Sequence, residues 1–150
     1  MVTQEALQTY VDREQIKDLK SRYIWAMDAN DAEGVLDVFT EDAEFYGQHI
    51  KTNEPYIRQT GHDEIRAMVE KRATRTDIDF IHHRAFTPRI EIDGDTAHGN
   101  WYMTNLHFLP DGTLELQYGY YADGYRRVDG DWKISHLTAE FTLVEPALRD

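Results

Sequence analysis

The stretch Phe80 to Ile92, FIHHRAFTPRIEI, contains two adjacent imidazoles, the side chains best suited to taking and giving protons near neutral pH. Its apolar and β-branched content reads as an extended strand. Period-two alternation then sends Ile81, His83 and Ala85 to one face and His82 and Arg84 to the other. An imidazole aimed into an enclosed cavity is a general-base candidate, whereas one satisfied by a backbone carbonyl is structural. A second chemical group stands at Asp28, at the end of DREQIKDLKSRYIWAMDAND. The negative end of a helix dipole opposes a carboxylate there, which weakens a purely local role, although Asp28, Asn30 and Asp31 could together end one helix and cap the next. His62, His98, His107 and His136 add imidazoles without an HExxH pattern or cysteine pair, so no metal and no cofactor are expected. The sequence also lacks a GxSxG elbow, a cysteine nucleophile and a Gly-rich phosphate loop.

These groups need elements to position them. Ile16, Leu19, Tyr23 and Met27 follow the three-and-four spacing of an amphipathic helix, expected from Asp12 onward. A second helix fits Ala32 to Phe39, Thr40 to Asp42 read as a turn, and Ala43 to Gly47 read as a strand. Gln48 to Gly61 is polar and irregular, a loop that could close over something, and a third helix begins near His62. From Phe80 the chain becomes β-rich, with Asp93-Gly94-Asp95, Pro110-Asp111-Gly112 and Asp129-Gly130-Asp131 as hairpin signals. The strands expected between them are Phe80 to Ile92, Thr96 to Leu109, Thr113 to Val128 and Trp132 to Val144, with Pro88, Gly99 and Gly119 as bend positions. Helices first and sheet second give an α+β architecture, helices packed on one face of a strongly curved antiparallel sheet.

A curled sheet capped by helices makes a cone whose open end suits a small hydrophobic or cyclic ligand. Trp101, Tyr46, Tyr118, Tyr120 and Phe141 are read as an aromatic wall, and His107, which shares strand parity with Trp101 and Met103, as a second polar group in the cavity. Core packing or a contact between subunits is the alternative use of those aromatics.

At 150 residues, 41% of them hydrophobic and 29% charged, the chain reads as one globular domain spanning 1–150. Its formal net charge of -12 repels phosphate backbones and anionic headgroups, so neither nucleic acid nor a membrane surface is an expected partner. No bilayer-length apolar run and no signal-peptide pattern is present, and a cytoplasmic location is expected.

The segments IKDLKSRYIWAMDANDAEGVLDVFTEDAEF, HHRAFTPRIEIDGDTAHGNWY and YRRVDGDWKISHL resemble the SnoaL-like branch of the NTF2-like superfamily over nearly the whole chain. Within that branch the motifs are most similar to the bile-acid 7α-dehydratase group, and more distantly to hexachlorocyclohexane dehydrochlorinase and scytalone dehydratase. The resemblance implies an NTF2-like cone, a trimer, and an Asp-His dyad. YIWAMD places Tyr23 and Asp28 on that group's tyrosine and aspartate, and HRAFTPR places His83 on its histidine. His83 would then be the base, Asp28 its orienter, and Tyr23 a donor to the developing oxyanion or leaving hydroxyl. One departure stands at Phe141, where the bile-acid enzymes carry an arginine; a less charged ligand is expected for that reason.

The implied activity is cofactor-independent dehydration of a cyclic or polycyclic hydroxy-ketone. An isomerase or hydrolase using the same pocket, and a non-catalytic ligand-binding protein, are the alternatives. Geometry bears on all three: five residues turn an ideal helix by roughly 140°, so Tyr23 and Asp28 do not share one narrow face.

Overall fold

A computed structural model describes residues 1–142 and the backbone of Glu145–Pro146. Helix α1 spans Gln4–Asp28 and starts well upstream of Asp12, because the Thr3 side chain accepts a hydrogen bond from the Ala6 N–H. Its first turns are almost wholly exposed, and Leu7, Tyr10 and Val11, although at helical spacing, stay in solvent. Farther on, Ile16, Leu19, Tyr23 and Met27 are buried at the expected spacing. Burying each such side chain contributes about 2 kcal/mol.

The end of α1 resolves the competition around Asp28. Asn30 takes a left-handed conformation (φ 52°), the Asn30 N–H donates to the Met27 carbonyl, and the Asp31 N–H donates to that of Ala26. Asp31 caps α2 (Ala32–Val38) by accepting from the Gly34 N–H at 3.0 Å. Asn30 and Asp31 therefore satisfy both helix ends. Asp28 is left free to reach the sheet.

The strands are β1 (Phe39–His49), β2 (Pro55–Thr60), β3 (Phe80–Asp93), β4 (Thr96–Phe108), β5 (Leu114–Val128), β6 (Asp131–Phe141) and β7 (Glu145–Pro146), with α3 (Gly61–Ala73) between β2 and β3. They form one curved sheet in the order β2-β1-β6-β5-β4-β3, with β7 paired to β5. The β1–β6 pairing is parallel and the rest are antiparallel. Helices followed by this open, curled sheet make the α+β cone of the NTF2-like fold.

Two local expectations are corrected. Thr40 to Asp42 lie inside β1, not in a turn, and the register of β1 against β6 shifts across them, between Phe39 and Glu44. The polar segment after Gln48 contains β2, an edge strand whose inner face is only Ile57 and Gln59, both half-buried, so there is little apolar alternation to read. The expected end of the last strand, at Val144, lies outside the described residues.

Bends follow local chemistry. At Thr87 (φ 52°) and Pro88 one extra residue bulges from β3, between Phe86 opposite Tyr102 and Arg89 opposite Asn100. This insertion switches the inward row from Ile81, His83 and Ala85 to Ile90 and Ile92. Gly99 and Gly119, also expected as bend positions, keep their register with β5 and β6, and each serves a close approach. A Cβ on Gly119 would lie 1.8 Å from the Glu140 carbonyl oxygen.

Candidate active site

Asp28 and His83 meet because the C-terminal end of α1 abuts the first strand of the antiparallel run. One carboxylate oxygen, Oδ1, accepts from the His83 backbone N–H at 3.1 Å and lies 2.5 Å from His83 Nδ1. On the other side of the ring, Arg72 Nη1 is 3.3 Å from Nε2. A guanidinium only donates, so Nε2 presents its lone pair and Nδ1 carries the proton given to Asp28. His83 is 7% exposed, and burial drives its pKa below the ordinary histidine value. The Asp28 hydrogen bond opposes that shift, while the charges of Arg72 and Lys20 reinforce it. The ring is neutral at pH 7. A neutral imidazole with one oriented N–H and one lone pair is the protonation state a general base requires.

Beside this pair lies a cavity of about 680 Å³, walled by apolar side chains such as Met27, Phe45, Met68, Ile81 and Met103. His83, His107, Tyr23 and Phe141 also line it. A second depression of about 560 Å³, bordered by Glu14, Asp18, Asp37 and Asp131, holds no histidine. Tyr23 reaches the cavity from one turn deeper in α1 than Asp28, since the helix is covered on more than one side and the two residues need not share a face. Its ring packs edge-on to Phe39 and Tyr121, at 5.8 and 6.4 Å between centroids. Burial pushes its pKa up, which keeps the phenol a donor. His107 is pushed down to about 4, chiefly by burial and then by the electrostatic influence of neighbouring His83, Arg72 and Arg75, and is neutral at pH 7.

Four expected wall residues lie elsewhere. Tyr118 and Tyr120 are 49% and 48% exposed on the outer face of β5; the odd positions Tyr121, Asp123 and Tyr125 point inward instead. Tyr46 likewise has the wrong parity in β1, where Ala43, Phe45 and Gly47 are buried, and its hydroxyl donates to Gln48 Oε1. Trp101 has the right parity but the wrong depth. It is buried below the cavity, its Nε1–H donating to the Tyr125 hydroxyl, which in turn donates to Asp123 Oδ2. Parity gives the face of a strand, and only the cone's axis gives the depth.

Residues absent from the sequence reading also line the cavity, chiefly Arg72 and Asn105. Arg72 follows Ile65, Met68 and Val69 at helical spacing on α3, a signal that was available. Asn105 shares parity with Met103 and His107 and faces His83 in register. Its Nδ2 donates to Gln117 Oε1 at 2.9 Å, while its buried Oδ1 has no partner among the described residues. An incoming donor would satisfy that oxygen.

Among the described residues no three histidine, aspartate or glutamate side chains gather closely enough to hold a metal ion, and no helix is long and apolar enough to cross a membrane.

Comparisons with known proteins agree with this architecture. The model of the SnoaL-like domain family matches residues 8–138. Among solved structures, a protein of Novosphingobium aromaticivorans provisionally named an aromatic ring hydroxylase is 28% identical, with 93% of this chain and 95% of that one covered at a TM-score of 0.76. A provisionally named scytalone dehydratase from the same organism is 20% identical (95% and 91% covered, TM-score 0.77). Hexachlorocyclohexane dehydrochlorinase from Novosphingobium barchaimii is also 20% identical (96% and 95% covered, TM-score 0.76).

Proposed function

The chain belongs to the SnoaL-like domain family, and from that membership we propose that it is a cofactor-independent lyase, a dehydratase acting on a cyclic or polycyclic hydroxy-ketone. The observation that carries this reading is the 2.5 Å contact between Asp28 and a buried, neutral His83 beside a mostly apolar cavity. Neighbours of the same fold named for dehydration and dehydrochlorination favour elimination, a reaction that begins with removal of a proton from carbon.

His83 Nε2 takes the proton from the carbon beside the carbonyl, and the C–H electron pair moves to form a C=C bond while the carbonyl π pair settles on oxygen as an enolate. Collapse of the enolate re-forms the carbonyl, creates the conjugated double bond and expels the β-hydroxyl group. The departing hydroxyl takes the proton back from the imidazolium and leaves as water. Asp28 holds the tautomer before the transfer and stabilises the imidazolium after it. Tyr23 supplies a phenol donor to the polar end of the substrate. For assembly, we assign a homo-oligomer, a trimer, built through the exposed aromatic outer face of the sheet.

A screen of hydroxy-steroids and cyclic β-hydroxy ketones for the appearance of enone absorbance tests the reaction. Removing a general base costs about 10²–10⁴-fold, so His83→Ala is expected to lower kcat by that factor, with Asp28→Asn close behind. Incorporation of solvent deuterium without loss of water would instead identify an isomerase. Unchanged turnover in both variants would refute the dyad.

A further inference from the structure

Among the described residues Arg72 is a cation with no carboxylate in ion-pair contact, although the charge of Asp28 acts on it from farther away. It lines the cavity from the last turn of α3, and its hydrogen bonds go only to neutral acceptors: Asn30 Oδ1 from Nε and His83 Nε2 from Nη1, both at 3.3 Å. No ion pair among the described residues includes it, although eleven others join Lys or Arg to Asp or Glu, and even Arg75 nearby is clamped by both oxygens of Asp77 at 3.0 and 2.7 Å. In a chain of net charge -12, the cavity wall carries Lys71, Arg72 and Arg75 against the single carboxylate of Asp77. A desolvated, unpaired guanidinium is costly unless something negative joins it.

We infer that Arg72 is the oxyanion-binding residue of this cavity, holding the substrate oxygen on which charge develops while His83 Nε2 takes the neighbouring proton. The inference rests on the proton-abstraction reading above and adds the group that makes it feasible. The guanidinium donates to the Nε2 lone pair at 3.3 Å and masks it. A substrate oxygen that draws Nη1 to itself frees that lone pair and puts the carbonyl one carbon away from the C–H to be broken. Donors aimed at developing charge in a water-poor site are among the largest contributions to catalysis. The consequence for specificity reverses the expectation drawn from Phe141: that residue is apolar and stacks edge-on with Tyr56 at 5.3 Å, but positive charge enters from α3 instead. The favoured ligands are carbonyl compounds that become enolates, and stable enolates should bind tightly as mimics of the intermediate.

The test uses 1,3-cyclohexanedione, a ring that is ionised to its enolate at neutral pH, against uncharged cyclohexanone, with binding followed by calorimetry or ligand-observed NMR. Wild type should bind the enolate at least about 10-fold more tightly than the ketone, the range expected for a charge-assisted hydrogen bond. Arg72→Met should remove that preference by weakening the enolate about 10-fold or more and the ketone by less, and Arg72→Lys, which keeps the charge but not the fork, should retain part of it. His83→Ala should keep enolate binding within about threefold despite losing turnover, since the anion sits on Arg72. A folded Arg72→Met protein that still prefers the enolate would overturn the inference and leave the dyad standing. Enolate binding lost only in Arg72 variants, in a protein that dehydrates nothing in the screen, would retain the anion site and refute the lyase reading. Wild type with no preference for the enolate overturns the inference outright.

Discussion

His83 sits between a carboxylate that orders its Nδ1 proton and a guanidinium that faces its lone pair, so its titration reports the balance of the site. Burial is the dominant influence and lowers its pKa. Activity that needs the neutral ring should therefore be flat through neutrality and fall only below the ordinary histidine value of about 6.5. Measured as kcat/KM, the acid limb should lie below pH 6.5 and move upward in Arg72→Met, because a nearby positive charge has been removed. The same depression has a consequence for stability. Below about pH 6.5 the unfolded chain binds protons at His83 and His107 that the folded chain refuses, so stability is complete above that pH and declines as the solution is acidified toward about 4, the folded value of His107. Urea midpoints measured across that interval should decrease with falling pH, and the decrease should shrink in His107→Gln.

At the scale of elements, two contacts hold the site together from a distance. Lys20 of α1 pairs with Asp123 of β5 at 2.8 Å, with side chains 1% and 0% exposed, and its ammonium lies over the Tyr121 ring at 3.5 Å from the centroid. This pair fixes the rotation of α1 on the sheet, and so the direction in which Tyr23 and Asp28 emerge. Removing one partner of a buried pair leaves an uncompensated charge. Lys20→Met should cost about 3–5 kcal/mol in urea unfolding, and the double variant Lys20→Met with Asp123→Leu should regain much of it. The second contact is the backbone crossing of β5 and β6 at Gly119. A methyl there meets the Glu140 carbonyl, which has no side-chain freedom with which to yield, so Gly119→Ala should lower stability by about 3 kcal/mol or more. Its folding defect would be visible in circular dichroism before any effect on chemistry.

The whole molecule separates two aromatic surfaces by strand parity. The inner one surrounds Tyr23, Tyr121 and Phe141. The outer one is a ladder in which Phe86 and Tyr102 lie 5.8 Å apart and Tyr102 and Tyr120 lie 5.6 Å apart, all three about half exposed. An exposed apolar ladder of that kind marks an interaction surface. The double substitution Tyr102→Lys and Tyr120→Glu should convert the proposed oligomer to monomer in light scattering, with the Asp28–His83 pair unperturbed on the opposite face. A monomeric wild type would remove the trimer from the proposal.

The helices, the long strands and the inward aim of His83 were legible in the sequence because each is a periodic pattern of neighbouring residues. Hydrophobic spacing dictated α1 and α3, and alternation placed Ile81 and His83 together on one face of β3. Parity was equally legible for Tyr118 and Tyr120, whose neighbours Tyr121 and Tyr125 alternate with them, and there the choice of wall residues went against the pattern. What no local pattern contains is depth and distance. Trp101 and His107 share a strand face, yet one lies beneath the cavity and the other beside it, because position along the cone's axis depends on where α1 crosses the sheet. Arg72 shares the helical spacing of Ile65, Met68 and Val69, so its face of α3 was legible, but a basic residue in the last turn of a helix looks like an ordinary partner of the helix dipole until the fold carries it across to His83. Contacts between residues far apart in sequence are set by how curved layers stack, and stacking is a property of the assembled structure alone.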